Sequence, residues 1–266
     1  MAGATDTGSW ERYGARSRAW RVGLVATSVV VVAASWWYLD ITLRYVATAP
    51  DRLGDLLFRM YPPDIGFLPQ VVVPLAETIQ IAVVGTLCAV LLAAPVAYII
   101  AENTTPNRGT YVLGKVIVTV SRSVHTIVWA LLFVVMFGPG ALAGTIATAV
   151  RSVGFIAKLL GEEIEEIEFG QVEAVRATGA NWFQILVYAI IPQIKPALVG
   201  VSIYRWDINV RAATILGFVG AGGIGVTLFE AIDSFAWRTV SAMLLAILAI
   251  VLVSEFVSAY TRGLVR

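Results

Sequence analysis

The chain has 266 residues, 58% hydrophobic and only 14% charged, with a formal net charge of +1. Soluble domains carry about 25% charged residues, so the composition excludes an ordinary water-facing surface and points to a membrane protein, while the near-zero charge gives no bulk attraction to nucleic acid. The single cysteine, Cys88, excludes an intramolecular disulfide and, in its apolar run, reads as a small core residue.

Residues 1–21 form a basic tail without the short apolar core and small-residue cleavage site of a signal peptide, so a retained cytoplasmic tail is expected. Apolar stretches long enough to cross a bilayer then recur. The first covers about residues 22–38 and ends in Trp36-Trp37-Tyr38, an interfacial aromatic belt. An outer loop is expected up to residue 70. The second stretch, about 71–100, holds Pro74 near its start and Pro95 as an expected kink. The third covers about 111–137, where Gly138-Pro139-Gly140 breaks it, and a fourth spans about 141–160. The fifth runs from about 183 to 204 and the last from about 240 to 260. The expected fold is all-α and polytopic, with about six transmembrane helices.

Orientation follows the positive-inside rule. Arg12, Arg16, Arg18 and Arg21 precede the first span, Arg262 and Arg266 follow the last, and Arg108 and Lys115 flank the turn between the second and third. Both termini are therefore expected in the cytoplasm, although Arg44, Arg52 and Arg59 lie in the first outer loop among Asp51, Asp55 and Asp64. On this topology residues 161–182 form the largest internal cytoplasmic loop. Residues 205–238 form an outer segment.

The cytoplasmic loop opens on Glu162, Glu163, Glu165, Glu166 and Glu168, read as a solvated helix face because no histidine accompanies them for a metal site. Gln171 to Thr178 should be helical, and Gly179 is placed to end that helix in a left-handed cap. Asn181 with Gln184 forms a capping-box pair that starts the next helix. The expectation is a short surface helix, a sharp turn and a helix entering the membrane. Such an insert gains meaning if a partner docks on it.

Glu173-Ala174-Val175, three residues, Gly179, nine residues and Ala189-Ile190-Ile191-Pro192 resemble the EAA signature of bacterial ABC-importer permeases. Val175, Ala189 and Ile191 stand where the signature has Ala, Ile and Leu. The runs SRSVHTIVWALLFV, RSVGFIAKLLGEEIEEIE, VEAVRATGA, IPQIKPAL and YRWDINVRAATILGFVGAGGIG extend the likeness to the phosphonate-transport (PhnE) permeases from about residue 75 to the end. The resemblance implies a type I importer core of five spans plus one N-terminal helix, in the plasma membrane of a bacterium. It implies domains at 1–21 (tail), 22–70 (first helix and outer loop) and 71–266 (permease domain). In that family the loop is the coupling helix, so Glu173, Ala174, Val175, Arg176 and Gly179 are the implied ATPase-coupling residues. The implied partners are two cytoplasmic ABC ATPase subunits, a second permease subunit (identical or paralogous), an extracytoplasmic phosphonate-binding protein and the lipid bilayer. No cofactor is expected on this chain, since ATP and Mg²⁺ belong to the ATPase and no G-x-x-x-x-G-K-[ST] loop is present. The chain is thus expected to be a translocation subunit without catalytic residues. Phosphate, phosphite or an amino acid are the alternative solutes.

Ionisable residues inside spans are costly and mark candidate functional positions. Arg122 and His125 should share a face of the third span, as a snorkelling cation and a structural hydrogen-bond former. Arg151 falls near the middle of the fourth span, where it either faces a pathway for an oxyanion or meets a buried partner. Arg205, Asp207, Asn209 and Arg211 form a polar cluster before the glycine stretch. They either guide a phosphorus oxyanion or make ordinary interfacial ion pairs. Gly220, Gly222 and Gly225 fit the dinucleotide fingerprint G-x-G-x-x-G. A membrane-bound oxidoreductase would need further strands, yet only 41 residues follow Gly225 and most form one apolar span. Gly220, Gly222 and Gly223 are instead read as a bend or re-entrant element that packs closely or lines the substrate path.

Overall fold

The computed structural model describes residues 15–40 and 42–265. The tail arginine Arg12 and the terminal Arg266 lie outside them. Every regular element among the described residues is helical. The chain divides into two compact units, Met1–Leu57 and Phe58–Arg266.

The first unit contains α1 (Ala15–Tyr38), an apolar helix long enough to cross a membrane, and most of α2 (Leu43–Met60). The expected outer loop is therefore largely helical.

The second unit is built from α3 (Leu68–Ile100), α4 (Arg108–Ser123), α5 (Thr126–Phe137), α6 (Ala141–Glu165), α7 (Phe169–Ala177), α8 (Trp182–Ile185), α9 (Ile191–Leu216), α10 (Ile224–Asp233) and α11 (Trp237–Val265). Helix α6 lies at its centre, with α3, α4, α5 and α9 packed around it. Its buried face is rich in small residues, Ala143, Gly144, Ala147, Ser152, Gly154, Ala157 and Gly161, interspersed with Ile156, Leu160 and Ile164. That choice lets neighbours approach to backbone contact, the usual way helices associate where lipid removes the hydrophobic drive between them. A methyl group on Gly85 of α3 would lie 2.9 Å from Thr148 Cγ2, and one on Gly154 would lie 2.6 Å from Ser121 Oγ of α4.

Five described helical runs are long and apolar enough to span a membrane, and the bent pair α4–α5 meets the same test when its two arms are taken together. The expected third span is not one helix. Val124 and His125 are extended, the His125 ring accepts from the Ile127 amide at 3.4 Å, and the axis turns by 94°. Two extended residues interrupt the i to i−4 ladder, and a side-chain cap restarts it. Arg122 and His125 consequently share no helix face. Conversely, α3 runs unbroken through Pro74 and Pro95. Cys88 is exposed on α3 rather than in the core.

The largest correction concerns the fifth span. It does not end near Tyr204; α9 continues to Leu216, so Arg205 to Arg211 sit within a helix instead of an outer segment. Arg205, Asp207 and Asn209 find partners on neighbouring helices and Arg211 pairs with Asp207 on its own, which removes the reason for the helix to stop.

Candidate functional site

Two regions collect the residues singled out from the sequence. The first is the α7–α8 connection. Phe169–Ala177 forms a helix that buries only Val172, which inserts beside Ala189, Ile190 and Ile194. Glu173, Ala174, Arg176 and Gly179 are exposed, and Val175 is half-buried. At the helix end the Gly179 amide donates to the Arg176 carbonyl at 3.0 Å, with Gly179 at φ +81°. The restart is a reciprocal box: Gln184 N donates to Asn181 Oδ1 at 2.9 Å, and Asn181 N donates to Gln184 Oε1 at 2.8 Å. Both the left-handed glycine and the capping box thus stand where the sequence places them.

A groove of about 600 Å³ runs along this turn, lined by Ala174, Val175, Thr178, Gly179, Gln184 and Tyr188 among others. The loop is rigidly mounted. Glu168 N donates to Gln193 Oε1 at 2.9 Å, and Trp182 Nε1 donates to the Tyr98 hydroxyl of α3 at 2.6 Å. Behind α8, Leu186–Ile190 is a π turn in which Ile191 N donates to the Leu186 carbonyl. Pro192 follows and supplies no amide to the ladder, which accounts for a widened turn here.

The second region is a polar network between α3, α6 and α9. Asn209 Nδ2 donates to Thr86 Oγ1 at 2.9 Å and to Ser152 Oγ at 3.0 Å. Arg205 Nε donates to the same Ser152 oxygen at 2.8 Å, while the Ser152 hydroxyl donates to the Thr148 carbonyl at 2.6 Å. Thr86 passes its own proton to the Ala82 carbonyl at 2.6 Å. Each hydroxyl therefore gives one hydrogen bond while receiving one or two, a saturated arrangement. All four side chains are buried. The Arg205 guanidinium lies over the Phe155 ring, 5.2 Å from its centroid.

Arg151 is half-buried one residue before Ser152, and its Nη1 is buried without a hydrogen-bond partner. It lies within electrostatic reach of Arg205, and Arg122 lies within reach of Arg151. No carboxylate pairs with Arg151 or Arg205 among the described residues. Arg211 belongs to a different cluster. It pairs with Asp207, whose other oxygen accepts from Ser254 of α11 at 3.1 Å. The four-residue cluster read from the sequence is thus divided, with Arg205 and Asn209 bonded to α6 and Asp207, paired with Arg211 on its own helix, bonded to α11. The partners Thr86, Ser152 and Ser254 carried no signal of their own, because lone hydroxyls are ordinary in apolar spans.

Asn209→Leu keeps the volume but removes both amide bonds across three helices. Interhelical hydrogen bonds in membranes contribute about 0.6 kcal/mol on average and about 1.7 at most. We expect a loss of about 1–2 kcal/mol, seen as a lower midpoint in a thermal unfolding series in detergent. An unchanged midpoint would show that the network does not hold the three helices.

The glycine stretch lies apart from this network, since Gly217 follows Arg205 by 12 residues, about 18 Å of helical rise. Gly217–Val219 is a single tight turn, and Gly220, Gly222 and Gly223 have φ of +77°, +82° and +74°. Gly140 N donates to the Gly220 carbonyl at 2.8 Å, and Ile224 N donates to Thr78 Oγ1 at 2.8 Å. A Cβ on Gly222 would lie 2.7 Å from Ala141 N and 2.9 Å from Glu77 Oε1. Helices flank the fingerprint on both sides, so it has neither the strand nor the βαβ unit a dinucleotide site requires.

Comparisons with known proteins agree with this architecture. The family model described as "Binding-protein-dependent transport system inner membrane component" matches residues 68–265. The "Phosphite transport system permease protein PtxC" of Stutzerimonas stutzeri is 36% identical over 247 residues, covering 91% of this chain and 89% of that protein. The "Phosphate-import permease protein PhnE" of Mycolicibacterium smegmatis is 37% identical over 249 residues, 93% of this chain but only 47% of its own length. Among solved structures, a chain of the inward-facing MetNI methionine ABC transporter superposes with a TM-score of 0.66 at 22% identity, covering 76% of this chain and 99% of that one.

Proposed function

Because the chain belongs to the family of binding-protein-dependent transport system inner membrane components and is therefore a permease component rather than an enzyme, we propose that it couples ATP hydrolysis by separate cytoplasmic subunits to import of a phosphorus oxyanion. The observation that supports coupling is the exposed α7–Gly179–α8 turn with its groove, braced by Glu168, Trp182 and Val172 against the helix bundle. Glu173 and Arg176 offer polar contacts to an ATPase surface, Ala174 and Val175 allow close approach, and Gly179 sets the turn. A braced loop transmits displacement into α9 instead of absorbing it.

Two ATPase subunits, a second permease subunit and an extracytoplasmic binding protein complete the machine, in the plasma membrane of a bacterium. The termini face the cytoplasm on this reading. Residues 1–21 then form the tail, 22–70 the first span with its outer segment, and 71–266 the permease domain. The substrate class rests on relatives whose names specify phosphite and phosphate, and on cations inside the bundle without carboxylate partners. Arg151 and Arg205, with Asn209 orienting the shared serine, would meet the oxyanion; Arg211, half-exposed beside Asp207, borders the same helix. Gly220, Gly222 and Gly223 shape the path as a packed turn.

Reconstitution with the ATPase subunits and binding protein tests both parts. Uptake of phosphite, phosphate, methylphosphonate and methionine is measured side by side. Transport of methionine alone would overturn the substrate class and leave the permease role intact. Arg151→Gln removes a charged donor worth about 1.5–3 kcal/mol, so turnover of the transported oxyanion should fall about tenfold or more. Unchanged turnover would remove Arg151 from the path.

A further inference from the structure

Helix α2 has 18 residues, none buried. Placed at 3.6 residues per turn, its side chains separate cleanly. Arg44, Asp51, Asp55, Arg59, Thr48 and Arg52 fall on one continuous polar arc, edged by Tyr45. Leu43, Val46, Leu53, Leu56, Leu57 and Phe58 occupy the rest, joined by alanines, Gly54 and Pro50. The apolar arc takes somewhat more than half the circumference, and Val46, Leu53 and Leu57 on it are 63%, 56% and 56% exposed. Five ionisable side chains exclude a membrane crossing. An apolar face this wide has no stable place in water.

The chain itself sets the level of this helix. At its start, four residues, 39–42, separate it from Trp36-Trp37-Tyr38, which mark the membrane boundary at the end of α1. Four residues reach about 14 Å at most. At its end the Met60 carbonyl accepts from Ser241 Oγ at 2.8 Å, Arg238 Nε donates to the Pro62 carbonyl at 2.9 Å, and Asp64 N donates to the Arg238 carbonyl at 3.0 Å. Those bonds hold the end of α2 beside the first turn of α11, where a span enters the membrane. The run that contains α3 begins at Ile65, after four intervening residues.

We propose that α2 is an interfacial helix, lying along the membrane face at which α1 ends, with Val46, Leu53 and Leu57 in the acyl boundary and Arg44, Asp51, Arg52 and Asp55 toward water. Basic residues on its polar arc exceed acidic ones by one, which suits a surface containing anionic lipid. The lipid surface is preferred over a protein partner because both ends are fixed at bilayer level and the apolar arc is broad, marked only by a shallow open depression along Val46, Ala49, Pro50 and Leu53.

The experiment uses the full chain with Cys88→Ser, reconstituted in vesicles of phosphatidylethanolamine and phosphatidylglycerol. Single cysteines replace Val46, Leu53 or Asp51 and carry a nitrobenzoxadiazole label. At positions 46 and 53 we expect blue-shifted emission, quenching by doxyl-labelled lipid and loss of quenching by iodide; position 51 should show the reverse. Iodide access at all three positions would put the apolar face in water. Protection of 46 and 53 from both quenchers would assign the face to a protein. Lipid quenching at 51 as well would immerse the whole helix. Each of these three results overturns the proposal.

Discussion

Gly179→Val is expected to abolish uptake while the protein still assembles in the membrane and its ATPase partners still hydrolyse ATP without stimulation by loaded binding protein. Space is not the issue, since a side chain at Gly179 meets nothing within 4 Å. Conformation is. Its φ of +81° costs an L-residue about 1–2 kcal/mol, and a β-branched one more. A penalty of 1.4 kcal/mol shifts an equilibrium tenfold, enough to depopulate the turn that presents Glu173 and Arg176. Gly179→Asn provides the control, because asparagine tolerates left-handed backbone. Uptake and ATPase activity of the reconstituted complex are measured together. Equal failure of the valine and asparagine variants would show that left-handed backbone is not what fails and remove the turn from the coupling argument.

Gly225→Val should prevent accumulation of folded protein altogether. A Cβ there would lie 2.6 Å from the Thr214 carbonyl and 2.9 Å from Gly217 Cα. Both obstacles are backbone, so no rotamer change relieves them, and overpacking of this kind costs about 1–3 kcal/mol or more. Gly220→Ala is the informative contrast. Unlike the helical Gly225 it has positive φ, but its nearest neighbour is Pro139 Cβ at 3.7 Å, so the cost should stay near 1–2 kcal/mol. The recovery of monodisperse protein after detergent extraction separates the two. Similar recovery of both variants would show that the α9–α10 corner tolerates separation.

Local signals made the turn at Gly179 legible. A glycine after a short helix and an Asn–Gln pair at the next start are decided within a few residues, and the structure contains both. The spans were legible for the same reason, as length and hydropathy set them. Two features needed information that lies far away in the chain. Arg205 to Arg211 read as the end of a span because isolated charges leave membranes; only Thr86, Ser152 and Ser254, each on another helix, explain why they stay inside. The elbow at Val124–His125 sits in a polar interruption of the apolar run, Ser121 to Thr126, which composition reads equally well as the wet face of one rod. Helix α2 is a different case. Its polar and apolar residues already separate at a helical period, but Pro50, Gly54 and two aspartates resemble loop composition.

The methyl-scale contact between α3 and α6 sets a mechanical rule for the bundle. Gly85 faces Thr148, and Gly161 faces Ile100 with a hypothetical Cβ 2.8 Å from its Cγ1. Long side chains between two rods act as a compliant layer that can re-pair after a slip; at Gly85 and Gly161 that layer is missing, while Ile156 and Leu160 fill the seam between them. Displacing one rod along the other by a single residue would drive Thr148 or Ile100 into backbone. At these two points the rods cannot slide along one another without a clash, so the seam between α3 and α6 resists relative sliding.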